Sequence, residues 1–151
     1  MTLEKIYEIT AIKQEKRKTT KGFDPERLVI RSPEDAYHIA NKFIGDYARE
    51  VFLVLLLNTK NKVIAAHIAH IGSLNASIVS PREVFQCAIL NNAASIIVSH
   101  QHPSGDPLES REDLEVTKRL VKSGEILGIH VLDHIICGDN RFVSLKEKGH
   151  I

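Results

Sequence analysis

The chain has 151 residues, 43% hydrophobic and 26% charged, which fits one globular domain long enough to bury a core without staples. Its formal net charge of +1 points to no polyanionic partner, and its two cysteines, Cys87 and Cys137, form no C-x-x-C pair, which argues against a disulfide framework or a thiolate zinc site. The longest strongly apolar run, Val51 to Leu57, is far too short to span a bilayer and the N-terminus has no signal-peptide core, so a cytoplasmic protein without membrane contact is expected.

Residues 1–24 read as an N-terminal arm and residues 25–151 as a single domain. Within the arm, Ile6 to Ile12 suits a short strand, and Lys13, Lys16, Arg17, Lys18 and Lys21 form a basic run around Glu15, read as a solvated tail. A helix is expected from "SPED", with Ser32 at N-cap and Pro33 at N1, because Ala36, Ile39, Ala40, Phe43 and Tyr47 recur at helical spacing. Glu50 then opens "VFLVLLL", apolar on both faces and so a central strand. The polar turn "NTKN" and a returning strand over Lys62 to Ile71 follow as a hairpin. His67 and His70, three apart on that strand, are expected on opposite faces. "SPRE" predicts a second helix from Ser80 to about Asn91, with Glu83 at the capping-box position. Ser95 to His102 is another buried strand. "SRED" opens a third helix ending near Gly124 or Gly128, Ile129 to Cys137 is a fourth strand, and "GDN" turns into a short strand at Arg141 to Ser144. Helices and strands alternate with one hairpin among them, which predicts an α/β fold with a mixed β-sheet flanked by helices.

The stretch "SHQHPSGDPLESRED" carries the chemistry. Residues i and i+2 of a strand point to one side, so His100 and His102 project together and their ring nitrogens can meet on one ion. Asp113 shares a helix face with Val116 and Leu120; if those two face the core, so does Asp113, and a buried carboxylate needs a partner. Two imidazoles and one carboxylate leave the fourth position of a tetrahedral zinc open, as in catalytic rather than structural sites. Mg²⁺ and Ca²⁺ prefer all-oxygen shells, whereas Fe²⁺ and Mn²⁺ also suit this ligand type. Taken singly, each residue has a plainer role: His100 and His102 as polar strand-end residues, Asp113 as first-turn helix electrostatics, Ser110 as N-cap.

The pattern H-x-H, seven residues, S-x-x-D, met by His100, His102, Ser110 and Asp113, resembles the JAMM (MPN+) metalloprotease motif. With "PREVF" upstream and "LDHIICGDNRFVSLKEKG" downstream, it resembles the RadC branch over roughly residues 30 to 151. The resemblance implies a JAB/MPN fold similar to that of cytidine deaminases, one Zn²⁺ per chain held by His100, His102 and Asp113, and Ser110 as a catalytic-site residue that hydrogen-bonds a developing oxyanion. It also calls for a catalytic glutamate heading an early apolar strand, a place taken by Glu50, where a carboxylate would sit near the zinc water as general base. Glu83 competes for that role, but its capping position already explains it. His134 in "LDHII" is a candidate for orienting a ligand imidazole. Gln101 stands where relatives often have Asn and is expected to point away from the ligands. Longer members carry an N-terminal helical region that is not expected in this chain.

These readings imply a zinc-dependent hydrolase acting on a peptide or protein substrate. The alternative is a nucleic-acid-associated accessory of DNA repair or mobile elements without hydrolase activity, resting on the basic arm and on the repair label that RadC proteins carry. Nucleic acid and homo-oligomer formation stay open as partner questions. A nucleobase deaminase is disfavoured, because H-x-E with P-C-x-x-C is missing.

Overall fold

The computed structural model describes residues 1–151. Helices α1 (Pro33–Ile44), α2 (Pro81–Leu90) and α3 (Arg111–Leu127) pack on a five-stranded sheet of β1 (Val51–Leu57), β2 (Val63–Ile71), β3 (Ser95–Gln101), β4 (His130–Cys137) and β5 (Phe142–Ser144). The sheet order is β2-β1-β3-β4-β5, with β3 and β4 parallel and every other pair antiparallel. The expected α/β fold with a mixed sheet is therefore the one observed.

The core has two halves because β1 and β3 are buried on both faces. Phe52, Val54, Leu56, Ile96 and Val98 face α2 and α3, where Val84, Phe85, Val116 and Leu120 close one half. Leu53, Leu55, Leu57 and Ile97 face α1, where Ile39, Ala40 and Ile44 close the other. Burying a side chain of this size contributes about 1.5–3 kcal/mol, so the sheet centre is the main stabilising unit.

Local sequence explains the helix ends. Ser32 Oγ accepts from Asp35 N while Asp35 Oδ2 accepts from Ser32 N, and Ser110 with Asp113 repeats this reciprocal cap on α3. Gly128, at φ 72°, ends α3 in the left-handed conformation.

Several expectations are corrected. Ile6 to Ile12 form no strand: Ile6, Ile9 and Ile12 are exposed, and with no apolar face to bury the segment pairs with none of the strands. Helix α1 stops at Ile44, which leaves Tyr47 outside it and 42% exposed. Ser80 precedes α2 but its side chain makes no cap hydrogen bond, and Glu83 is exposed. Finally, β2 bulges against β1. His67 pairs with Val54 and His70 with Phe52, two residues on one face, so the histidines share a face despite their odd spacing.

This topology gathers the chemistry at one edge. Because β1 runs antiparallel to β3, the start of β1 lies beside the end of β3, with Phe52 opposite His100. Because β4 runs parallel to β3, its end lies there too, with Cys137 beside Gln101. The chain leaves β3 through a turn and enters α3 at the same edge.

Candidate metal centre

His100 lies on β3, fully buried and directed like Phe52 and Val98 toward α3. His102 sits one residue past the strand, still tied to the ladder by its N–H donating to Cys137 O at 3.0 Å. The two side chains thus leave the sheet on one side, as period-two alternation requires. Asp113 is 4% exposed in the first turn of α3, on the face that also buries Val116 and Leu120. The capping box fixes where its carboxylate points, since Asp113 Oδ2 accepts from Ser110 N at 2.9 Å.

The three side chains converge. His100 Nε2 lies 3.1 Å from His102 Nε2 and 3.1 Å from Asp113 Oδ1, and His102 Nε2 lies 3.1 Å from Asp113 Oδ2. Metal bonds of about 2.0–2.1 Å would set tetrahedral ligand atoms about 3.3–3.4 Å apart, so the spacing already approximates a coordination edge. The backbone carbonyl of Asp106 accepts from His102 Nδ1 at 2.8 Å, so in the neutral ring Nε2 carries the lone pair. A lone-pair nitrogen, a second imidazole and a buried carboxylate at contact distance call for shared positive charge. The group can hold a metal ion.

Electrostatics agree. Burial pushes the Asp113 carboxyl up, but the His100 and His102 rings facing it, with the Ser110 N–H, outweigh burial and hold the group far below the usual carboxylate range. The hydrogen bond to Asp113 raises the His102 pKa against the opposing effect of burial, with smaller help from the Asp106 carbonyl and the charges of Asp113 and Glu50.

The remaining candidates surround this centre. Glu50 is half-buried just before β1; its Oε2 accepts from Leu74 N at 3.2 Å, and its charge is felt at His102. Ser110 is half-buried, and its Oγ accepts from Asp113 N at 3.1 Å, which leaves its hydroxyl proton unassigned. His134, fully buried on β4, places Nε2 2.8 Å from His100 Nδ1 and Nδ1 2.6 Å from Thr117 Oγ1. A cleft of about 540 Å³, lined by Tyr47, Ser104, Asp139 and Asn140 among others, borders His102. Cys137 takes no part: burial pushes its thiol up to about 11, so it stays protonated.

Sequence reasoning missed Thr117 and the bonding role of Gln101. Thr117 stands one helical turn after Asp113, a spacing that marks a shared face but names no partner. Gln101 does point away from the ligands, yet it is 4% exposed and bonded to the segment that carries Glu50: its Oε1 accepts from Val51 N at 2.9 Å, and its Nε2 donates to Tyr47 O at 3.2 Å and Arg49 O at 2.5 Å.

The chain matches the family model described as the RadC-like JAB domain over residues 30–150. A UPF0758 protein of Desulforamulus reducens is 58% identical over 125 residues, which is 83% of this chain and 55% of the relative. UPF0758 proteins of Bacillus cereus strain AH187 and of Caldanaerobacter subterraneus are 61% and 57% identical over the same length, 83% of this chain and 56% and 54% of the relatives. The chain therefore spans about half the length of the relatives it matches.

Proposed function

The chain belongs to the family of RadC-like JAB domains, and on that footing we propose that it is a zinc-dependent hydrolase of the JAMM type that cleaves a peptide or isopeptide amide bond with water. The observation that carries this reading is the mutual 3.1 Å approach of the ligand atoms of His100, His102 and Asp113, three protein ligands that leave a tetrahedral ion one open position. When bound, zinc supplies a Lewis acid that makes water a nucleophile near neutral pH.

The protein's own groups then divide the work. Glu50 takes a proton from the attacking water as its oxygen bonds to the carbonyl carbon, and returns that proton to the amide nitrogen as the C–N bond breaks. Ser110, with a lone pair engaged by Asp113 N, keeps its proton and donates a hydrogen bond that steadies the oxyanion. The cleft beside His102 offers room for a segment of substrate.

Elemental analysis of the full chain purified without chelator should find about one zinc per chain, and His100→Ala should lose it. Glu50→Gln should keep the metal and abolish hydrolysis of an unfolded protein substrate. Metal-free wild-type protein, or His100→Ala with undiminished zinc, would overturn the proposal.

A further inference from the structure

Behind the ligands lies a closed hydrogen-bond chain whose proton directions can be assigned. Thr117 Oγ1 is 2.8 Å from Asp113 O and 2.6 Å from His134 Nδ1. His134 Nε2 is 2.8 Å from His100 Nδ1. Thr117 is 1% exposed and both histidines 0%, so water does not share these bonds.

The hydroxyl of Thr117 has one proton, and a carbonyl oxygen can only accept. That proton therefore goes to Asp113 O, and Thr117 presents a lone pair to His134. His134 must then donate from Nδ1. A second proton on His134 would create a buried cation whose side-chain partners are only a hydroxyl and another imidazole, a costly arrangement. Its Nε2 is accordingly bare and accepts the Nδ1–H of His100. The opposite nitrogen of His100, Nε2, is left facing His102 and Asp113 with the lone pair that a metal requires.

We infer that Thr117 is a positioning residue that, acting through His134, selects the metal-binding tautomer of His100. This deepens the metal-site reading and rests on it. The β4 bulge described by the register serves the same end: Ile96 pairs with Val131 but Ile97 with Asp133, so Leu132 is extra and His134 arrives beside Val98, on the face of His100.

The test compares Thr117→Val, which removes the hydroxyl, with Thr117→Ser, which keeps it. Nitrogen-15 NMR of the histidine rings in the metal-free full chain reads the tautomers directly, and competition against a chromogenic zinc chelator reads affinity. Wild type and T117S should show His100 protonated at Nδ1 and bind zinc alike. T117V should release His134 to its other tautomer, shift the His100 ring signals, and weaken zinc about 10–100-fold with all three ligands intact. A bare Nδ1 on His100 in the wild-type protein overturns the inference whether or not T117V folds. So does T117V that binds zinc as tightly as wild type. If wild type binds no zinc at all, the metal-site proposal fails by itself, and the ring spectra still decide the tautomer.

Discussion

Gln101 and Val51 are joined at 2.9 Å by a side-chain acceptor on β3 and a backbone donor at the start of β1. Two further bonds, to the carbonyls of Tyr47 and Arg49, make this amide the tie that holds the segment leading to Glu50 against the strand that carries His100. The residue between the two histidines thus fixes the position of the candidate base from the opposite face of the sheet.

Gln101→Ala leaves the buried Val51 N–H without a partner, which costs about 1–3 kcal/mol. Urea unfolding should show that loss while zinc content stays near wild type, because no ligand is touched. An unchanged midpoint would mean that the segment is held by something else.

Asp113→Asn separates the carboxylate's two tasks. The amide oxygen can still accept from Ser110 N and keep the helix cap, but the negative charge facing both imidazoles is gone. Zinc affinity should fall by more than the roughly 10–100-fold typical of losing an outer hydrogen-bond partner. Circular dichroism should still report an intact α3, and chelator competition measures the affinity.

Metal binding should depend on pH through His102. The hydrogen bond to Asp113 raises its folded pKa in the metal-free chain. The folded state then binds that proton more tightly than the unfolded state. The resulting stability is complete below the unfolded value of about 6.5 and is lost as pH rises through the folded one. A metal competes for the same nitrogen, so affinity should weaken as pH falls from about 8 to about 6, and binding near neutrality should release a proton. Asp113 adds nothing to that loss, since it stays ionised throughout. Calorimetric titration in two buffers of different ionisation enthalpy counts the protons; identical heats in both would contradict the assignment.

Gly138→Ala should loosen the turn that serves His102. A methyl group there would lie 2.5 Å from Gly105 O and 2.6 Å from Pro107 Cδ, and Asp139 N donates to that same Gly105 O at 2.7 Å. Between Gly105 and Pro107 stands Asp106, whose carbonyl holds His102 Nδ1. Overpacking of this kind costs about 1–3 kcal/mol, and it should lower both melting temperature and zinc affinity. Thermal melts with and without metal distinguish the two effects.

Much of this site is written in local pattern. The side on which His100 and His102 emerge follows from strand alternation, and the inward aim of Asp113 follows from its spacing to Val116 and Leu120 and from the Ser110 cap. The both-faces burial of β1 and β3 follows from unbroken apolar runs, and the helix starts at Ser32 and Ser110 from capping chemistry. These are short-range rules: a few bonds or one helical turn decide them.

What lies beyond them needed the third dimension. A single extra residue at Leu132 reverses the parity of β4, so that His134 rather than Asp133 reaches the face of His100; a bulge also turns His67 and His70 to one face. Thr117 meets His134, and Gln101 meets Val51, only because the sheet order brings β1, β3, β4 and α3 to one edge. Alternation determines side-chain direction while register is unbroken, but register itself is set by pairing between strands distant in the chain, and local sequence carries no record of it.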